Sequence, residues 1–119
     1  MNEIKEEEYS VTYDPDAAAV AFRGTLRLYD YASYEPAEAF LHRALIEAKT
    51  AITLDVSELE FINSSGLDML FRFAHRVYEH REVQLIVRRS KRAGQWQDKL
   101  LATMQMMAPN LQVEMAHSG

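Results

Sequence analysis

The sequence contains no cysteine, and only one tryptophan, three prolines and four glycines among 119 residues. Without cysteine there is no disulfide framework, no thiol nucleophile, no Cys-ligated zinc and no iron–sulfur cluster, which fits a reducing compartment. The glycines, at 24, 66, 94 and 119, are too scattered for a phosphate-binding loop. No apolar run approaches the roughly 18–20 residues of a membrane span. The first eight residues, Met1 to Glu8, are acidic, the opposite of a secretory signal. The expectation is a cytoplasmic protein with no membrane partner. A second core would not fit this length, so residues 9–119 are expected to form one domain, and 1–8 an acidic, flexible lead-in.

The net charge of −5 is local. Residues 1–16 hold six acids and one base, and the remainder is balanced. Within the remainder, 72–99 carries eight bases against three acids, centred on Arg88, Arg89, Lys91 and Arg92. Such a cluster is either a patch for nucleic acid or an acidic partner, or a solvated strand-to-helix turn. The absence of interleaved aromatics in an acidic chain favours the turn, with no direct nucleic-acid contact.

Periodicity supplies the fold class. Tyr9 to Tyr13 alternates as a strand does, Asp14-Pro15-Asp16 is a turn signal, and Ala18 to Arg23 alternates again, ending at Gly24; this is an antiparallel hairpin. Phe40, Leu41, Ala44, Leu45 and Ala48 fall on one face of a helix that begins near Ala37. Thr50 to Val56 and Val83 to Val87 read as buried strands. A second helix runs from about Ser65 to Glu79, a third from Gln95 to about Met107, and a last strand from Leu111 to Met115. The order β-β-α-β-α-β-α-β predicts an α/β domain: a mostly parallel mixed sheet with helices packed against it.

The chemically informative stretch is 54–70. A strand ends at Asp55-Val56, and a helix opens at Ser64-Ser65-Gly66. Ser65 with Asp68 three residues on resembles a capping box, which leaves the Ser64 hydroxyl free just outside the helix. Gly66 removes a side chain where a partner could approach. Phosphate on Ser64 would sit at a helix N-terminus, where orphan N–H groups and the macrodipole favour negative charge. Taken alone, these residues favour capping and nothing more.

The run Asp55-Val56-Ser57-Glu58-Leu59-Glu60-Phe61-Ile62-Asn63-Ser64-Ser65-Gly66-Leu67 resembles the signature of STAS domains, specifically the bacterial anti-sigma-factor antagonists. Gly24-Thr25-Leu26 is similar to that family's Gly-Glu-Leu-Asp step, and the element order agrees. The resemblance implies partner switching. The protein would bind an anti-sigma factor that is also a serine kinase, the kinase would phosphorylate the position of Ser64 and end binding, and a phosphatase would reset it. Transcription would be regulated through that partner. Two departures mark a divergent branch. Asn63 stands where the family usually has Asp, and Arg27 where it often has Asp, so charge is changed at both positions.

On the second helix, Leu67, Leu70, Phe71, Ala74, Val77 and Tyr78 make the expected sheet-facing stripe. Met69 and Phe73 fall off it. Either they meet a partner, with Ser64, Ser65 and Arg72, or the helix is buried more widely than this stripe. Asn63, Gly66 and Arg27 complete the candidate partner-binding set. Other chemistry is poorly supported. His75 and Glu79 sit one turn apart, but no second cluster completes a metal site. Ser64 lacks a nucleophile elbow, and none of His42, His75, His80 and His117 stands out as its base. Trp96, Leu100, Met104 and Met107 read as core, and Asp55 as a loop-ordering residue. No cofactor, metal or catalysis is expected. The alternative to a Ser64-switched binding module is a small-molecule or lipid-sensing module without phosphorylation; an enzyme using Asp55, Ser64 and a histidine is the weakest reading. Oligomeric state is open.

Overall fold

Asp14 turns the chain as its residue type predicts: its Oδ1 accepts the N–H groups of Asp16 at 3.0 Å and Ala17 at 3.2 Å. In the computed structural model, which describes residues 2–92 and 95–116, this turn joins β2 (Tyr9–Asp14) to β3 (Ala19–Leu26), antiparallel, with Val11 opposite Phe22. The chain continues through a 3-10 turn (Tyr31–Tyr34), α1 (Glu35–Glu47), β4 (Ala51–Asp55), β5 (Leu59–Ile62), α2 (Ser64–Glu79), β6 (Gln84–Arg89), α3 (Gln95–Met107) and β7 (Gln112–Met115). A further strand, β1 (Glu3–Lys5), precedes them. The sheet order is β1-β2-β3-β4-β6-β7, with β5 paired to β3. Pairing is parallel from β3 onward and antiparallel at β1–β2–β3. The expected α/β domain with a mixed, mostly parallel sheet is what forms.

Three expectations are corrected. The acidic lead-in is a strand over Glu3–Lys5, because Ile4 sits opposite Val11 and packs on the core while the backbone satisfies the β2 edge. Gly24 does not end the hairpin. It takes φ +86°, and a Cβ there would lie 2.3 Å from the Glu8 carbonyl oxygen, so glycine lets the β1–β2 turn fold against a strand that runs on to Leu26. The strands at 51–55 and 84–89 are buried on one face only. Ile52, Leu54, Leu85 and Val87 are in the core, while Thr53, Asp55, Ile86 and Arg88 alternate with them and stay half-exposed.

The buried strand face and all three helices share one hydrophobic cluster, so the architecture is a sheet with helices on one side. α3 is tied in by Gln97, fully buried, whose Nε2 donates to the carbonyls of Val56 at 2.7 Å and Leu59 at 3.3 Å while its Oε1 accepts the Ser90 N–H at 3.1 Å. The buried carboxamide thereby uses both its donor and its acceptor on backbone groups, linking α3 to the β4–β5 connection and to the end of β6. On the open face, Arg88 bridges Glu114 at 2.6 Å and Asp55 at 3.4 Å across the β4–β6–β7 register. Arg89 is buried and pairs with Asp98. Two of the cations in the basic cluster are therefore engaged in holding strands and α3.

At the other side of the core, the buried Tyr13 donates its hydroxyl to Glu47, and the Arg43 guanidinium lies 5.1 Å over its ring. Burial, then the hydrogen bond to Glu47 and that carboxylate's charge, push the Tyr13 phenol up to about 12. The neutral form is thus favoured in the folded state. Its contribution to stability is present below the ordinary tyrosine pKa of about 10 and lost as pH rises through 12. Urea melts from pH 9 to 12 should show stability falling over that window, and Tyr13→Phe should flatten part of the fall. An unchanged slope would remove Tyr13 from the alkaline transition.

Candidate partner-binding site

Ile62 ends β5, and the next residue, Asn63, caps α2. Its φ of −80° and ψ of 176° are extended, and its Oδ1 accepts the Gly66 N–H at 3.1 Å. The cap is therefore Asn63 and not Ser65, and the Ser65–Asp68 capping box does not form. The reason is tertiary. The same Oδ1 accepts the hydroxyl of Tyr34 at 2.7 Å, its Nδ2 donates to the Leu28 carbonyl at 2.9 Å, and its backbone N–H donates to the Leu26 carbonyl at 3.0 Å. Tyr34, 1% exposed, shares that one hydroxyl proton with the Leu26 carbonyl at 3.2 Å and accepts from Leu28 N–H at 3.4 Å. Desolvation is the largest cause raising its phenol above the ordinary range, which keeps it a donor.

This hub explains the identity of two residues. An aspartate at 63 would keep the acceptor but lose the donor to Leu28. Gly66 is required by proximity, since a Cβ there would lie 2.4 Å from Ile62 Cγ1 and 2.9 Å from Tyr34 Cζ. Both residues, taken from the sequence as partner contacts, are held inside the fold: Gly66 is buried and Asn63 half-buried.

Ser64 is the first residue of α2 rather than a residue outside it. It is exposed, and its hydroxyl makes no hydrogen bond among the described residues. Ser65 beside it is half-exposed. Arg27 is exposed and pairs with Glu8 at 2.8 Å, which places the β1–β2 turn alongside the 26–28 segment. Arg72 lies 4.9 Å over the Tyr31 ring and 3.7 Å from Asp68. Tyr31 donates to Glu38 at 2.7 Å, and that bond, with burial, raises its phenol above the ordinary range.

Met69 and Phe73 do not belong to a surface footprint: they are 1% and 5% exposed. The buried arc of α2 runs through Gly66, Met69, Leu70, Phe73, Ala74 and Val77. Leu67, Phe71 and Tyr78, expected at its centre, are at its flanks and partly buried. The helix contacts α1 on one side and α3 on the other, so more than one stripe is covered. Wider burial, the alternative open in the sequence, is the observed case. The residues that sequence reasoning missed are Tyr34 and Leu28, whose bonds position the site, and the exposed Tyr29 and Phe61 beside it. No local signal marked the first two, since their roles depend on contacts 29 and 35 residues away.

Asp55 orders its loop as expected, accepting Ser57 N–H at 2.9 Å and Ser57 Oγ at 2.6 Å. His75 lies 3.6 Å from Glu79, but no group of three metal-ligating side chains occurs among the described residues. His117 and Gly94 lie outside the described residues. No helix among the described residues is long and apolar enough to cross a membrane.

No protein-family model and no curated protein matches the sequence. In fold, the chain is similar to three solved chains from Pseudomonas aeruginosa. One is in the crystal structure of the diguanylate cyclase SiaD in complex with its activator SiaC: TM-score 0.73 at 14% identity, covering 95% of this chain and 96% of that one. The second is SiaC, with TM-score 0.67 at 16% identity over 98% and 97%. The third is apo-SiaC, with TM-score 0.66 at 12% identity over 97% and 98%. At such identities the likeness is one of fold.

Two substitutions test the hub. Asn63→Asp should lower stability by about 1–3 kcal/mol, because the Leu28 carbonyl loses its donor and faces a carboxylate. Gly66→Ala should cost about 1–3 kcal/mol through overpacking against Ile62 and Tyr34. Both are read from urea midpoints at constant m-value. A neutral Asn63→Asp would mean that the Leu28 bond contributes nothing.

Proposed function

We propose that the chain is a cytoplasmic regulatory module without catalytic activity, whose hold on a protein partner is set by phosphorylation of Ser64. The observation that carries this reading is the Ser64 hydroxyl: exposed, unbonded among the described residues, and placed on the first turn of a helix whose cap is supplied by its neighbour. Asn63 performs the structural work, so Ser64 can gain or lose a phosphate without loss of a fold contact. The N–H groups of the first turn and the helix macrodipole favour the added charge. The STAS-type motif supports partner switching, with a serine-kinase-like partner adding the phosphate and a phosphatase removing it. The fold of SiaC, whose partner SiaD is a diguanylate cyclase, supports a signalling enzyme as the class of partner. The surface grooves are lined by charged and polar side chains together with Leu59 and Trp96 in one, and Phe71 and Met107 in another. A small-molecule sensor would instead show ligand-dependent thermal stabilisation.

The test is to incubate the purified protein with ATP and a lysate of its own source, map added phosphate by mass spectrometry, and measure partner affinity of two variants. Phosphate is expected on Ser64. Ser64→Asp should fold as the wild type and lose at least about tenfold in affinity, about 1.4 kcal/mol, while Ser64→Ala binds as the wild type. An unmodified Ser64 and an unchanged affinity of Ser64→Asp would leave a constitutive binding module.

A further inference from the structure

We propose that the chain pairs with a second copy of itself through β7, extending the sheet antiparallel with the two copies of Val113 opposite each other. β7 is the last strand of the sheet, and among the described residues it pairs with β6 alone. The Ala116 N–H donates to the Arg89 carbonyl at 2.9 Å. The N–H and C=O of one strand residue point the same way, and the direction alternates along the strand. Gln112 and Glu114 therefore turn their backbone groups to β6, and Val113 and Met115 turn theirs outward. The side chains of Val113 and Met115 lie on the helix-covered face, in register with the core residue Val87 and the buried Arg89, yet each is 45% exposed. The apolar face of the sheet thus runs out to an edge of unpaired backbone. The opposite edge is different. β1 has three residues, with Glu3 and Lys5 beside Ile4, and charge at an edge deters pairing. β7 carries neither lysine nor proline, and its one charge, Glu114, is already paired with Arg88 at 2.6 Å.

The strand is complementary to itself in one register. A two-fold axis perpendicular to the sheet keeps the helices of both copies on one side, so residues that face each other must share a face. Val113 opposite Glu114 fails this condition: it sets an apolar residue of the helix side against a charged one of the open face, and outward backbone against inward. Glu114 opposite Glu114 matches the faces but opposes like charges directly. Val113 opposite Val113 meets both conditions. The two valines exchange N–H···O bonds, each Gln112 stands opposite the partner's Glu114, and each Met115 meets the partner's Leu111. A strand of unrelated sequence would satisfy the backbone alone, whereas β7 itself satisfies backbone, face and charge, which makes a second copy the occupant. β5, which leads to Ser64, pairs with β3, on the far side of β4 and β6 from this seam. The seam therefore uses no residue of the Asn63–Ser64 region, and it does not depend on the reading of Ser64 as a switch.

The test is the dimer constant of the full chain, with variants that read the register. The seam is short, and interfaces at the low end of the size range are weak, so sedimentation equilibrium is followed from about 10 μM to about 1 mM. A monomer–dimer equilibrium is expected in that range. Val113→Pro removes an outward N–H and no bond to β6, so it should dissociate the dimer at least about tenfold while the monomer stays folded by circular dichroism. Gln112→Lys should tighten the dimer about threefold or more and Gln112→Glu weaken it as much, because the new charge faces Glu114 of the partner subunit in two symmetric places. The absence of cysteine allows a direct check. Bonded antiparallel pairs have Cα atoms about 5.5 Å apart, within disulfide range, whereas diagonal neighbours are about 7–8 Å apart. Val113→Cys should therefore oxidise to a linked dimer, and Glu114→Cys should not. A monomer at every concentration overturns the proposal, and so does a dimer indifferent to Val113→Pro. Linkage through Glu114→Cys and not Val113→Cys overturns the register, as does a dimer constant that both Gln112 variants move the same way or not at all. Should Val113→Pro fail to fold, the Gln112 and cysteine variants still decide.

Discussion

The carboxamide of Asn63 joins three parts of the molecule. Its oxygen holds the first turn of α2 and the hydroxyl of the buried Tyr34, and its nitrogen holds the carbonyl of Leu28. The amide offers an acceptor and a donor from one planar group, whereas an ionised carboxylate only accepts. Each such bond is worth only about 1 kcal/mol net, but leaving a buried partner unsatisfied costs about 1–3 kcal/mol, so the hub is held more by what its loss would expose than by what its bonds add. The end of β3, the turn before α1, and α2 are registered to one another through it. The position of everything at this end of the sheet, Ser64 included, follows.

A second amide does comparable work on the opposite flank of α2. Gln97 pairs with backbone groups of the β4–β5 turn and of Ser90, bringing α3 against the gap where β5 leaves the path of the sheet. With α1 on one side and α3 on the other, α2 is walled in, and Met69 and Phe73 are core. The other face of the sheet needs no such cover. Along β3, β4 and β6 its alternate residues are small, β-branched or polar, and the Asp55–Arg88–Glu114 row runs along the strand register with its charges mutually paired.

Much of this was legible in the sequence. The period of 3.6 placed α1 and α3, and α3 begins and ends where the pattern and Pro109 put it. The hairpin turn was written in Asp14 and Pro15, and the loop-ordering role of Asp55 in its place at a strand end. What could not be read has a common cause. Asn63, Ser64 and Ser65 are all good caps, and the choice among them is made by Tyr34 and Leu28, far away in the chain. A three-residue strand such as β1 is too short to show a period, so its acids read as a loose lead-in. A helix stripe drawn for one neighbour misses a helix with neighbours on two further sides, which is how Met69 and Phe73 came to be assigned to a surface. Local chemistry was readable, and choices between locally equivalent options were not.

The placement of Ser64 also decides what kind of switch it can be. A negative charge at a helix N-terminus gains about 0.3–1 kcal/mol, a small fraction of the about 5–15 kcal/mol by which a domain of this kind is held. No hydrogen bond of Ser64 among the described residues has to break, because the cap belongs to Asn63. Phosphate there therefore has no lever on the fold: it cannot open the hub, shift α2 or loosen the sheet by an amount that matters. The same group at a contact with another protein faces a desolvation cost of several kcal/mol unless it is paired. On the proposed reading, the difference between these magnitudes would make Ser64 a switch of surface and not of conformation. On that reading two states would share one backbone, and only a partner that touches the first turn of α2 would tell them apart.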